Sequence, residues 1–203
     1  DIPALALCSL NWADLFAHFF GHHDWAATIH AEMLAAYRSA RAFLRVTPGM
    51  PMRALDNRHD IGPIAATGRR HDLGLNGDKA VLIARGGIDH HLPLSHWPQA
   101  PGVRWLVAAD WQCTHPDAIA YESFDLNFTD LLCSVDAIIT KPGYGTFTEA
   151  AANGTPVLYL RRDDWPEQEC LIEWLQRNSP CLEISPDSLD SGALAESLTV
   201  LWT

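Results

Sequence analysis

The residues best placed for chemistry lie between 137 and 170, AIITKPGYGTFTEAAANGTPVLYLRRDDWPEQEC. An apolar run, Ala137-Ile138-Ile139, feeds a turn holding Gly143 and Gly145, and a helical pattern starts immediately after it. Glycine lets a backbone come close to a ligand and take positive φ. The N–H groups at the helix start, around Thr146 to Thr148, lack partners inside the helix and sit at the positive end of its dipole. Such a turn binds phosphate without any net positive charge on the chain. Lys141 adds a point charge, Tyr144 stands at the bend, and Glu149 lies one helical turn in, where a carboxylate reaches a pair of vicinal hydroxyls. A second reading needs no ligand: Thr146-Phe147-Thr148-Glu149 is a capping box, with Thr at the cap and Glu three residues on.

Other candidates are weaker. His22-His23-Asp24 and Asp89-His90-His91 put possible metal ligands on neighbouring residues, which point different ways, and no His-x3-His spacing completes a set. They read as solvated or capping histidines, with a phosphate contact from His90 or His91 as the alternative. Arg161-Arg162 either clamp a diphosphate or pair with Asp163, Asp164 or Glu167 on the surface. Walker loops, Gly-x-Ser-x-Gly elbows and zinc patterns are missing from the sequence.

The elements that must position these residues alternate strand and helix. Early on, the run Ile2 to Leu7 reads as a strand, Asn11 opens a short helix, and residues 24–40 form a helix capped by Asp24 with Trp25, Ile29, Met33, Leu34 and Tyr37 on one face. Residues 42–46 are a strand ended by Thr47-Pro48-Gly49, and 52–78 read as a linker with little regular structure. Lys79 to Ala84 and Val103 to Ala108 are nearly continuous apolar runs, the mark of strands buried on both faces of a parallel sheet, and Ala137 to Ile139, Pro156 to Leu160 and the short Cys181 to Ile184 read as further strands. Helices are expected over 128–134, up to Ala152 with Asn153-Gly154 as a left-handed stop, from Pro166 to Arg177, and from Gly192 to Leu201. The fold class is α/β, a Rossmann-like parallel sheet with the remnant of a second α/β domain. The boundaries read as 1–70 for the remnant plus linker and 71–203 for the sheet domain. Ligands of such sheets sit at the carboxyl ends of the strands.

With 14 basic residues against 25 acidic and a formal charge of −11, the chain lacks the clustered cations that nucleic acids and acidic membranes require. No apolar run approaches the roughly 18 to 20 residues of a membrane helix. Five widely spaced cysteines without a CxxC read as reduced thiols of a cytoplasmic protein. The chain opens at Asp1 without Met, straight into a strand, which predicts a fragment whose upstream part is missing.

The stretch 141–168 resembles the nucleotide-sugar donor motif of GT-B glycosyltransferases. Plant-type UDP-glycosyltransferases carry a His-Cys-Gly-Trp-Asn-Ser run, a Glu three residues later, a Gly-x-Pro and then an Asp-Gln pair. The same register here gives Lys141-Pro142-Gly143-Tyr144-Gly145-Thr146, Glu149, Gly154-Thr155-Pro156 and Glu167-Gln168. The lipid II GlcNAc transferase has a related pattern, and the GYGT…EA and RRD…E pieces are most similar to the glycosyltransferase-like region of L-arabinokinases and its bacterial relatives.

The resemblance implies that the Gly143, Gly145 and Thr146 amides hold the donor diphosphate. It gives the ribose hydroxyls to Glu149 and the hydroxyls of the transferred sugar to Glu167 and Gln168. Gly86 and Gly87 match the Gly-rich loop that abuts the phosphates, Phe124 lies in the base-contacting segment, and Trp165 is the tryptophan nearest the sugar-contacting pair. Two departures stand out: Lys141 replaces the motif's His, and the loop before Glu167 is longer and carries Arg161-Arg162-Asp163-Asp164. The implied activity is transfer of a sugar from a nucleoside diphosphate donor, UDP-linked, to an acceptor the sequence does not disclose. No cofactor or metal is implied beyond the donor itself. The catalytic base would come from the acceptor-side N-terminal domain, of which residues 1–70 are only the C-terminal part, so little turnover is expected from these residues alone. A non-catalytic nucleotide-sugar-binding domain and a nucleotide-sugar epimerase are the alternative readings.

Overall fold

The apolar runs become the strands of two parallel sheets. The computed structural model describes residues 2–84 and 92–203. By contacts the chain divides into a first unit, Asp1–Ile64 with Asp164–Trp174, and a second, Ala65–Asp163 with Leu175–Thr203. The sequence puts a single crossing near residue 70; the contacts put it at Ile64/Ala65 and return 164–174 to the first unit.

In the first unit β1 (Leu5–Cys8), α1 (Trp12–Phe20), α2 (Ala26–Arg38), β2 (Ala42–Val46) and β3 (Arg58–Ile61) form a parallel sheet of order β1-β2-β3 with its helices. Asn11 caps α1, its Oδ1 accepting from the Asp14 amide at 2.8 Å. Ala13, Leu15, Leu34, Phe43, Met50, Met52 and Leu55 make the core. Two expectations are corrected. The span read as linker contains β3, a polar edge strand whose only apolar residue is Ile61, held by parallel pairing to β2 and by the Arg45–Asp60 ion pair at 2.8 Å. α2 starts at Ala26, with Trp25 rather than Asp24 at the cap and no side-chain cap bond. Trp25 is 54% exposed, its ring lying 6.0 Å from that of Phe16 and 5.9 Å from that of Phe20, and Ile29 is also exposed.

The second unit holds β4 (Lys79–Ile83), β5 (Val103–Val107), β6 (Ala118–Ala120), α3 (Phe128–Ser134), β7 (Ala137–Thr140), α4 (Tyr144–Asn153), β8 (Val157–Tyr159), β9 (Cys181–Glu183), α6 (Pro186–Ser191) and α7 (Ala195–Leu201); α5 (Gln168–Asn178) begins in the first unit and ends in the second. All strand pairs are parallel, in the order β6-β5-β4-β7-β8-β9. Counted within the unit this is 3-2-1-4-5-6, the order of doubly wound nucleotide-binding sheets. The order reverses between β4 and β7, and the crevice outside the carboxyl ends at that point is where such sheets take ligands.

Both faces of this sheet are covered, which explains the continuous apolar runs. Val81, Ile83, Trp105, Val107, Ile139 and Leu158 pack with Leu189 of α6 and Leu198 and Leu201 of α7. The alternate residues Leu82, Leu106, Ile138 and Val157 are equally buried on the other face. Trp97 meets Trp105 edge-on at 5.1 Å. Gly192, expected to open the last helix, instead ends α6 at φ +70, where a Cβ would stand 2.3 Å from Trp97 Cγ.

Residues 66–71, expected as loose linker, are strapped to α3 and α4 within the second unit. The Gly68 amide donates to Asn153 Oδ1 at 2.7 Å, and Asn153 Nδ2 donates to the Ala66 carbonyl at 3.0 Å. The Arg69 amide donates to Asp130 Oδ1 at 2.7 Å and the His71 amide to Ser134 Oγ at 2.9 Å. A Cβ on Gly68 would stand 2.3 Å from the Thr129 carbonyl oxygen, so only glycine fits that step. All five cysteines are free and half-buried. Among the described residues no helix is long and apolar enough to cross a membrane.

Candidate functional site

The site is built where β7 ends. Val81, Leu82 and Ile83 of β4 pair with Ala137, Ile138 and Ile139, so the carboxyl ends of both strands flank the switch point. After Thr140 the chain passes Lys141 and Pro142 to Gly143, which lies extended at φ −159 and ψ 136 and caps α4. The first helical hydrogen bond runs from the Phe147 amide to the Gly143 carbonyl at 3.0 Å. The Gly145 and Thr146 amides therefore precede the helical ladder, and among the described residues neither finds a partner. A Cβ on Gly145 would meet nothing within 4 Å, and one on Gly143 only the Lys141 carbonyl oxygen at 3.9 Å. The turn is thus open over its glycines.

This geometry corrects the local reading in two ways. Neither Gly143 nor Gly145 has positive φ; what glycine provides here is open space above the amides. The capping box does not form, because α4 begins at Tyr144 and Thr146 is its third residue. Thr148 bonds back into the first turn, donating to the Tyr144 carbonyl at 2.8 Å. Glu149 stands five residues past Tyr144, roughly 7.5 Å along the axis, and is half-buried, as are Lys141, Tyr144 and Thr146. Asn153-Gly154 ends the helix as expected, with Gly154 at φ +68.

Glu167 and Gln168 are placed with the first unit, and both are buried. Ser9, just past β1, donates to Glu167 Oε1 at 2.5 Å, and Trp165 Nε1 donates to Oε2 at 3.0 Å. Cys170 Sγ donates to the Glu167 carbonyl at 3.0 Å, and burial pushes this thiol up to about 11. The sequence offered no sign of the Ser9 contact, since the partners lie 158 residues apart.

At the same sheet edge, Thr140, Tyr159 and Glu183 lie abreast on β7, β8 and β9. The Tyr159 hydroxyl accepts from Gln176 Nε2 at 3.3 Å, and burial raises this phenol above its ordinary value. Arg161 pairs with Glu183 at 3.4 Å. Gly86, Gly87, Asp89, His90 and His91 lie outside the described residues. Among those described, no cluster of three or more His, Cys, Asp or Glu side chains could hold a metal ion.

Solved structures share the fold that carries these residues. CalG4, the calicheamicin glycosyltransferase, superposes with a TM-score of 0.61 at 14% identity, over 97% of this chain and 60% of its own. The spinosyn forosaminyltransferase SpnP gives 0.58 at 18% identity, over 98% and 61%. The glycotransferase of kitacinnamycin gives 0.52 at 14%, over 94% and 60%. The chain has the GT-B fold. It spans about 60% of the length of these GT-B relatives. No family model and no curated protein matches the sequence. Within the GT-B fold the Lys141–Tyr144 turn follows β7 at the switch point of the six-stranded sheet, and α4 starts from it.

Proposed function

We propose that the second unit binds a nucleoside diphosphate sugar, UDP-linked, and that the protein transfers this sugar to an acceptor. One observation carries the reading: the Gly145 and Thr146 amides, without partners among the described residues, stand at the start of a ten-residue helix beside the switch point, under glycines that leave the approach open. Those amides and the helix dipole would hold the diphosphate, with the Thr146 hydroxyl and Lys141 beside them. The same donors stabilise the diphosphate as it departs, the preorganised electrostatics that lowers such barriers most. They supply the charge complementarity, so the reading requires no metal. Glu149 would accept hydrogen bonds from the ribose hydroxyls. Gly86, Gly87, Glu167 and Gln168 enter through resemblance alone.

The test is calorimetric titration of UDP into the chain and its Glu149→Ala variant. Loss of a charge-assisted hydrogen bond weakens binding by about 1 to 3 kcal/mol. Equal affinities refute the ribose role, and absence of UDP binding by the unaltered chain refutes the site.

A further inference from the structure

We infer, independently of the diphosphate reading above, that Glu167 is an anchor fixing residues 164–174 within the first unit, and that the sugar contact given to it by resemblance does not carry over to this chain. These residues lie between β8 and β9, two strands of the second unit, yet their contacts belong to the first. Two kinds of contact hold them there. The first is apolar: Trp165 and Cys170 pack against the core that includes Phe43, Met50 and Met52.

The second is polar and centres on Glu167. Oε1 accepts from the Ser9 hydroxyl at 2.5 Å, the length of an O–H bond to a charged oxygen. Oε2 accepts from the Trp165 indole at 3.0 Å and gives that half-buried ring a partner for its N–H. The main-chain carbonyl of Glu167 accepts from the Leu171 amide at 3.4 Å and so starts α5. Ser9 is itself fixed. Its carbonyl accepts from the Met50 amide at 2.7 Å, and the Met50 carbonyl accepts from Arg45 Nη1 at 3.2 Å. Hydrogen bonds thus run from the loop after β2 through the turn after β1 to the start of α5.

A carboxylate that reads a sugar needs an oxygen open to the ligand. Glu167 is buried, and each of its oxygens already has a donor from the protein. Turning Oε1 to a ligand would strand the buried Ser9 hydroxyl, a loss that a sugar hydroxyl has to offset before it adds any affinity.

The test uses the full chain, Ser9→Ala, Glu167→Gln and their double variant. Glu167→Gln is nearly isosteric and should still lower the urea midpoint. Ser9→Ala should lower the midpoint less in the Glu167→Gln background than in the unaltered chain, because the charged bond it removes is already gone. The Trp165 indole N–H resonance, assigned by its disappearance in Trp165→Phe, should shift in Glu167→Gln. In the unaltered chain it should be the same under saturating UDP-glucose or UDP-N-acetylglucosamine as under UDP. By calorimetry, the ratio of UDP-sugar to UDP affinity should stay within about twofold in Glu167→Gln. Equal effects of Ser9→Ala in both backgrounds, or a Glu167→Gln variant as stable as the unaltered chain, overturn the anchor. An indole resonance that moves with a UDP-sugar and not with UDP, or a loss of about tenfold in that affinity ratio, returns Glu167 to the sugar. If UDP fails to bind the unaltered chain, the diphosphate reading falls, while the midpoints and the indole resonance of the variants still decide the anchor.

Discussion

Ser9 and Glu167 meet through a 2.5 Å hydrogen bond that ties the residue after β1 to the segment entering α5. The carboxylate is only 4% exposed, and its second oxygen is held by the Trp165 indole. A buried carboxylate is expensive unless donors surround it. Ser9→Ala removes one of two donors, and a hydrogen bond to a charged group is worth about 1.5 to 3 kcal/mol. The variant should lower the urea midpoint of the first unit accordingly. Ser9→Thr, which keeps the hydroxyl, should recover most of the loss.

Asn153 holds the 66–71 strap from the last residue of α4, using both ends of its amide. Asn153→Ala strips partners from two backbone groups, at about 1 to 3 kcal/mol. Asn153→Asp keeps the acceptor for Gly68 but loses the donor to Ala66, so its effect should be smaller. Hydrogen exchange reads this directly: the Gly68 amide should exchange faster in Asn153→Ala, and the Arg69 and His71 amides beside it should follow.

Asp130 gives the strap a pH dependence. The backbone hydrogen bond from Arg69 holds its carboxyl below the ordinary 3.8, aided by the Asn127 side chain and by His71. A carboxylate with a lowered folded-state pKa contributes stability that is fully present above its unfolded value and is lost as pH falls through the folded one. The advantage of the unaltered chain over Asp130→Asn should therefore be fully present near pH ~5, shrink through the carboxylate range and vanish in stronger acid. Urea midpoints of the two proteins measured against pH check this.

The sequence made the six-stranded sheet readable for a physical reason. Strands such as Ala80 to Ile83 are buried on both faces and must be apolar throughout, a pattern that needs no partner to recognise. β3 and β6 carry no such pattern, because one is polar except for Ile61 and the other has three residues; both owe their existence to a neighbouring strand. The chemistry of 141–149 was legible as a motif, but its start was not. The Thr146–Glu149 pattern satisfies capping rules locally, yet an extended Gly143 starts the helix at Tyr144, and the side-chain bond of Thr148 lies inside the first turn. Trp25 and Ile29 fit a helical stripe by spacing, but nothing in their spacing reveals that they stay exposed. The links from Ser9 to Glu167 and from Gly68 to Asn153 join residues far apart in sequence, beyond any local rule.

Gly145 separates folding from binding. It is the second residue of α4, exposed, with open space where a Cβ would project. Alanine is the better helix former, so Gly145→Ala should leave the fold intact and raise stability by about 0.5 to 1 kcal/mol. The added methyl enters the space through which a diphosphate would approach the Gly145 and Thr146 amides. UDP affinity should therefore fall about tenfold or more while the urea midpoint rises. A structural glycine gives the opposite pattern: at Gly68 a Cβ would strike the Thr129 carbonyl, so Gly68→Ala should destabilise the chain without acting on UDP directly. If Gly145→Ala stabilises the protein and binds UDP as tightly as the unaltered chain, the open space above the turn is not a ligand's approach, and the diphosphate must be sought elsewhere along the sheet edge.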